Sequence, residues 1–238
     1  MYQKNLYKII GLALIPFTLL SCSKQAELTN QELLHKAYLD SIEVSEGKIR
    51  PLVCLNKEDK NTIWNENRVL LFTLHRYPDS YPDGQEVTFS WGESWVCSVK
   101  EYTNWYKNNK DNIKDILLRT KQVLGMDETS PNTYITSMWF DPNDLQRPAY
   151  ITDVNKQMSL TFSEDETEDY KEWFKGQYYY SYEVKHLPWT RLGYTYDWSK
   201  EAIDRYGLSE FIAWTGTTVK VDKTLLVEDF ASYCISNY

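Results

Sequence analysis

Histidine and cysteine are scarce in this chain of 238 residues: there are three histidines, at positions 35, 75 and 186, and four cysteines, at 22, 54, 97 and 234. Neither type is arranged as H-E-x-x-H or C-x-x-C, so the sequence offers no transition-metal site. The stretch Gly92-Glu93-Ser94-Trp95 lacks the second glycine of a G-x-S-x-G nucleophile elbow. The acidic run Ser163-Glu164-Asp165-Glu166-Thr167-Glu168-Asp169 lacks the spacing and the glycine that let a calcium loop close, and reads as a solvated negative face. No metal and no cofactor is expected on these grounds. Basic residues are also in deficit, 26 against 34 acidic ones. That balance disfavours nucleic acid as a partner, because phosphate backbones reward positive charge. No Pro/Gly/Ser-rich linker, fixed-period repeat or low-complexity tract interrupts the chain, so one domain is expected.

What is present begins with an address. Lys4 and Lys8 form a short basic leader, followed by an apolar run from Ile9 to Leu20 containing Pro16. The run is too short to span the ~30 Å hydrocarbon layer as a mature helix, and proline argues further against one. It ends in Leu19-Leu20-Ser21-Cys22, which resembles the lipobox of bacterial lipoproteins. The resemblance covers residues 1–22 alone. It implies that residues 1–21 are a signal peptide and that Cys22 becomes the mature N-terminus, bearing a diacylglycerol thioether and commonly an acyl (palmitate-type) chain on its amine. Two or more chains are what stable anchoring requires. Ser23 rather than aspartate after the cysteine, and the absence of an acidic run in residues 24–27, favour an outer-membrane anchor, with the periplasmic and exterior faces both open. Removing residues 1–21 takes away two lysines and leaves 24 basic against 34 acidic side chains, a net charge of −10. With Cys22 lipidated, Cys54, Cys97 and Cys234 allow at most one intrachain disulfide.

Residues 22–30 read as a tether and 31–238 as the domain. Leu33, Leu34, Ala37, Tyr38 and Ile42 have helical spacing, ended near Gly47. Leu52 to Leu55 is a short strand candidate. Val69 to Leu74 is apolar throughout, as in a strand buried on both faces. Beyond the Pro82-Asp83-Gly84 turn, Val87, Phe89 and Trp91 alternate with polar residues, which predicts a one-face-buried strand hairpinned to the preceding one. Ser98 and Glu101 make a capping box. Ile113, Ile116, Leu117, Thr120, Val123 and Leu124 form a helical stripe that Gly125 terminates. Strands are expected at 134–140, 210–214 and 218–221, and helices around 170–174 and from about Leu226. Asp141-Pro142 reads as the cap and first residue of a helical turn. Mixed elements without a βαβ rhythm predict an α+β domain with a mainly antiparallel sheet packed by helices.

Two places look functional. From Tyr170 to Trp198 there are 11 aromatic residues in 29 positions, against 15% aromatic overall. At its end Trp189, Arg191, Tyr194, Tyr196, Asp197 and Trp198 combine rings with both charges, a composition suited to a binding surface for protein or sugar and equally to a tyrosine-rich core. Pro188 and Thr190 place Trp189 on a turn, where it would be exposed. The second place is His75-Arg76 at the end of the most buried strand. The leading expectation is a membrane-anchored, non-enzymatic binding protein that uses these residues, with a protein partner favoured, of the immunity or envelope-complex type, and a glycan partner as the alternative. A further alternative is a hydrolase with His75 as base, oriented by Asp79 or Asp83.

Overall fold

The computed structural model describes residues 27–238; the leader and Cys22 lie outside them. Seven strands form one antiparallel sheet in the order β3-β9-β5-β2-β4-β8-β6, with β1 paired to β2 and β7 to β8. In chain order they are β1 (Trp64–Asn65), β2 (Arg68–His75), β3 (Glu86–Thr88), β4 (Ser94–Ser98), β5 (Tyr134–Phe140), β6 (Leu145–Gln146), β7 (Tyr194–Tyr196), β8 (Tyr206–Ala213) and β9 (Thr218–Leu226). Five α-helices accompany them: α1 (Asn30–Ile42), α2 (Val99–Asn109), α3 (Ile116–Val123), α4 (Glu168–Tyr179) and α5 (Val227–Asn237). The fold is α+β, as the sequence predicts. Among the described residues no helix is long and apolar enough to cross a membrane.

The continuous apolar run of β2 follows from its central place. Leu70, Phe72 and Leu74 face a core shared with Tyr102 of α2, Val123 of α3 and Phe230 of α5. Val69 and Leu71 point the other way, into a cluster with Met138, Phe140, Phe211 and Val221. Alternation along a strand sends neighbours to opposite faces, so a strand covered on both sides needs apolar residues at every position.

Local chemistry sets the helix ends. Thr29 and Glu32 close a reciprocal capping box on α1, with the Glu32 carboxylate accepting from the Thr29 N–H at 2.8 Å, so the domain begins inside the expected tether. Asp115 accepts from the Leu118 N–H and starts α3 at Ile116, later than the apolar stripe suggests. The acidic residues Glu168 and Asp169 form the first turn of α4, capped by Thr167, where negative charge meets the positive end of the helix dipole. After α4 the backbone widens into a π turn at Tyr180–Val184.

Two expected strand features are corrected. Residues 52–55 are not a strand. The segment 87–91 does not hairpin onto β2; only Glu86–Thr88 is a strand, and it pairs with β9 at the sheet edge. The partners of β2 are β5 along its whole length and β4 over Leu71–Phe72. The hairpin gives way to β4 and β5, whose Val96, Ile135, Met138 and Phe140 pack beside β2 in the two cores. Cys54, Cys97 and Cys234 are all free thiols.

Candidate ligand-binding site

The aromatic segment is interior. Every residue from Pro188 to Ser199 is buried; Trp189 is 6% exposed and Trp198 1%. The binding surface expected from Trp189, Arg191, Tyr194, Tyr196, Asp197 and Trp198 is therefore corrected: these residues pack the protein. Nor do Arg191 and Asp197 serve one another. The Asp197 carboxylate accepts from both Nη atoms of Arg119 on α3, at 3.0 and 2.5 Å, and Arg119 stacks on Trp105. The Arg191 guanidinium, held between the Tyr178 and Tyr182 rings, donates to the Ser41 and Ile42 carbonyls and to the Tyr182 hydroxyl. Those carbonyls are the free C-terminal acceptors of α1, where positive charge is favoured. Tyr196 donates to Asp40, Tyr194 to the Lys48 carbonyl and the Trp198 indole to the Met126 carbonyl. A buried irregular segment must satisfy its polar groups in this way. The short β7 reaches β8 because Gly207 has no side chain: a Cβ there would meet the Val123 carbonyl oxygen and the Thr195 hydroxyl at 2.2 Å.

One edge of this buried segment borders a cavity of about 710 Å³. Its origin is visible in the strand pairing. β2 runs to His75 and β4 starts at Ser94, yet their register ends at Phe72–Cys97. Beyond that pair the two strands part in the middle of the sheet. Each stays paired on its outer side, β2 with β5 and β4 with β8, so the split is held open by a continuous frame. Leu74 and His75 line one side, and Ser94 and Trp95 the other. The loop after α3 walls a third side, fixed by Lys121, whose ammonium donates to the Glu128 and Ser130 carbonyls, and by Asn132, which donates to the Leu74 carbonyl. Pro188, Trp189, Thr190, Thr195 and Tyr196 close the cavity from the buried segment.

Glu210 lies deepest in chemical terms. It sits opposite Cys97 in the β4–β8 ladder and lines the cavity with 5% exposure. Its Oε1 has no hydrogen-bond partner among the described residues, and neither has the indole N–H of Trp189. The Trp189 N–H is the donor nearest in effect to this carboxyl, pulling its pKa down against the burial, but it forms no well-aligned hydrogen bond with it. Loss of solvation pushes the Glu210 carboxyl up to about 8, since an unpaired buried charge is costly. Tyr81, Trp91 and Tyr77 continue the lining toward solvent, and Tyr77 and Trp91 are 55% and 47% exposed.

His75 borders the cavity with both ring nitrogens in use. Nδ1 accepts from the Tyr77 N–H at 3.1 Å, and Nε2 donates to the Thr136 hydroxyl at 2.7 Å. That direction follows because Thr224 must donate to the Tyr81 carbonyl, which leaves Thr136 donating to Thr224. Burial lowers the imidazole to about 4 and keeps it neutral. Asp79 is exposed in the turn at Pro78–Ser80, and Asp83 is held by Lys223 and the Thr224 N–H. Neither carboxylate bonds to His75, so the orienting pair that a base would need is not formed. Arg76 is exposed and stacks on Tyr77. Among the described residues there is no group of three or more metal-ligating side chains.

No family model, curated protein or solved structure matches this chain. The residues that sequence reasoning missed are Glu210, Trp95 and Tyr81. Glu210 did leave a signal: a single acid inside Leu208-Ser-Glu-Phe-Ile-Ala-Trp214, where a strand interior has no use for charge without a purpose or a partner.

Proposed function

We propose that this protein is a membrane-anchored, non-enzymatic binding protein that holds a small organic ligand in the cleft between β2 and β4. The observation that carries the reading is a buried carboxyl, Glu210, whose neighbouring donor, the Trp189 indole N–H, makes no well-aligned hydrogen bond to it, on the wall of a ring-lined cavity. Native interiors satisfy nearly all buried polar groups, and an unpaired one costs about 1–3 kcal/mol. Cavities of roughly 300–1,000 Å³ with apolar walls and a few polar groups are the usual form of small-molecule sites. With residues 188–198 buried, a protein partner loses the surface first expected for it. The hydrolase alternative is disfavoured by His75, which is neutral and engaged at both nitrogens.

The cleft is tested by ligand-observed NMR with a fragment set of neutral sugars, aryl alcohols and aryl amines, against wild type and Ser94→Phe. Ser94 is buried at the start of β4, and a phenyl ring there narrows the split. At least one class should bind wild type and weaken at least ~tenfold, about 1.4 kcal/mol, in the variant. Binding that is absent, or equal in both proteins, contradicts the proposal. The anchor rests on Lys4, Lys8, the apolar run and Leu-Leu-Ser-Cys22. Fatty-acid labelling in bacteria should mark wild type and leave Cys22→Ala unlabelled; equal label in both would refute acylation at this cysteine.

A further inference from the structure

We infer that the cleft selects a ligand bearing a positively charged amine, whose ammonium group is received by Glu210 beside the aromatic walls. This rests on the cleft being a ligand site and goes further by naming the ligand's charge.

Three features of the lining point the same way. First, its charge is one-sided: among the described residues that line it, Glu93, Asp127 and Glu210 are acidic and Lys185 alone is a cationic side chain, His75 being neutral. Second, the acceptor left without a well-aligned hydrogen bond is a carboxyl rather than an amide or hydroxyl. A carboxylate gains most from a charge-assisted donor. Third, Trp95, Trp189, Tyr81 and Tyr196 surround the same space, and ring faces attract cations, indole most strongly. A neutral polyol would leave the buried carboxyl protonated and gain only ordinary hydrogen bonds from it.

Proton balance supplies a signature. The titratable groups facing Glu210 are the Cys97 thiol on β4 and the Tyr170 phenol on α4, both pushed upward by burial and so neutral below about pH 9. Glu210 titrates near 8 and is mostly protonated at neutral pH. An ammonium ligand needs the carboxylate, so binding below pH 8 expels one proton to solvent. Affinity therefore falls as pH is lowered, by up to about tenfold per unit.

The experiment compares phenethylamine with its uncharged analogue 2-phenylethanol by calorimetry at about pH 6 and pH 8.5, on wild type, Glu210→Gln and Ser94→Phe. Gln keeps the shape of Glu and removes the buried charge, so the variant should fold, which its melting curve checks. The expected result is at least ~tenfold preference for the amine at pH 8.5, shrinking at pH 6, and absent in Glu210→Gln while the alcohol is unaffected. Equal binding of amine and alcohol to wild type, insensitive to pH and to Glu210→Gln but lost in Ser94→Phe, overturns the cationic specificity and leaves the cleft reading standing. No binding of either probe to wild type, with the fragment set also silent, overturns both.

Discussion

The segment 188–199 and the cleft it borders are built from the same rings and differ in how they treat polar atoms. In the segment the charged and hydroxylated side chains are paired: Asp197 with Arg119, Arg191 with the end of α1, Tyr196 with Asp40 and Thr195 with the Val123 carbonyl. In the cleft Glu210 and Trp189 are equally buried and neither makes a well-aligned hydrogen bond. Trp189 belongs to both, its ring packed on Phe174 and its residue lining the cavity. Aromatic density alone does not separate a core from a site; the state of the polar atoms among the rings does.

The largest loss of stability is expected at Asp197. Replacing it with alanine leaves the Arg119 guanidinium buried without its carboxylate, which should cost about 3–5 kcal/mol in chemical denaturation. The pair Arg119→Met with Asp197→Leu should recover much of that, because removing both charges removes the desolvation as well. A loss under 1 kcal/mol for Asp197→Ala would mean that the segment is not held by its ion pair.

Glu210→Gln should act in the opposite direction and depend on pH. The folded carboxyl titrates near 8 against an ordinary value of 4.5, so between these pH values the unfolded chain gives up a proton that the folded protein keeps. Glu210 therefore makes stability fall as pH rises from 4.5 to 8, by up to ~1.4 kcal/mol per unit. Glu101, raised by burial to about 7, adds to the same trend. His75 opposes it in acid: with its pKa lowered from 6.5 to about 4, stability is lost as pH drops through that window. The variant should melt at higher temperature than wild type near pH 8 and alike near pH 4.5. Parallel curves for the two proteins across the range would show that Glu210 is not buried unpaired.

The smallest effect on folding is expected at the mouth. Trp91 is 47% exposed, its ring resting on Phe89 and Tyr81, and Trp91→Ala should cost about 1 kcal/mol while weakening phenethylamine. A melting point lowered by many degrees would place Trp91 in the core rather than at the entrance.

The α+β class, the doubly covered β2, the Ser98 cap, β5 and the terminal helix were legible because each is written in local periodicity or in a capping residue, but Glu101 does not return to the Ser98 N–H as a capping box requires, its carboxylate accepting from Tyr206 and Ser209 instead. The β3 pairing was not, since a hairpin and an edge strand carry the same alternation and the choice depends on a partner 130 residues away. At the site, His75 was rightly placed at the end of the central strand, but its partner is Thr136 on the neighbouring strand rather than an aspartate in its own loop. The ring-rich end of 170–198 was read as surface and is buried, bordering the cleft. Trp189 looked exposed because its neighbours are turn residues, and turn chemistry describes the backbone without saying which way the rest of the protein lies.

By itself the sequence determined the α+β class and the main apolar strands and helical stripes, that its net charge is strongly negative, and that Leu-Leu-Ser-Cys22 resembles an acylation signal. All of these depend on residues close together in the chain. Tertiary structure alone decided that β2 and β4 part after Phe72–Cys97 and that Glu210 faces that opening. It also turned Arg191 and Asp197 to different partners, on α1 and α3. Those outcomes depend on distances between residues up to 150 positions apart, and on which polar atoms are left over after every other one has found a partner, a quantity that no local pattern of residues contains.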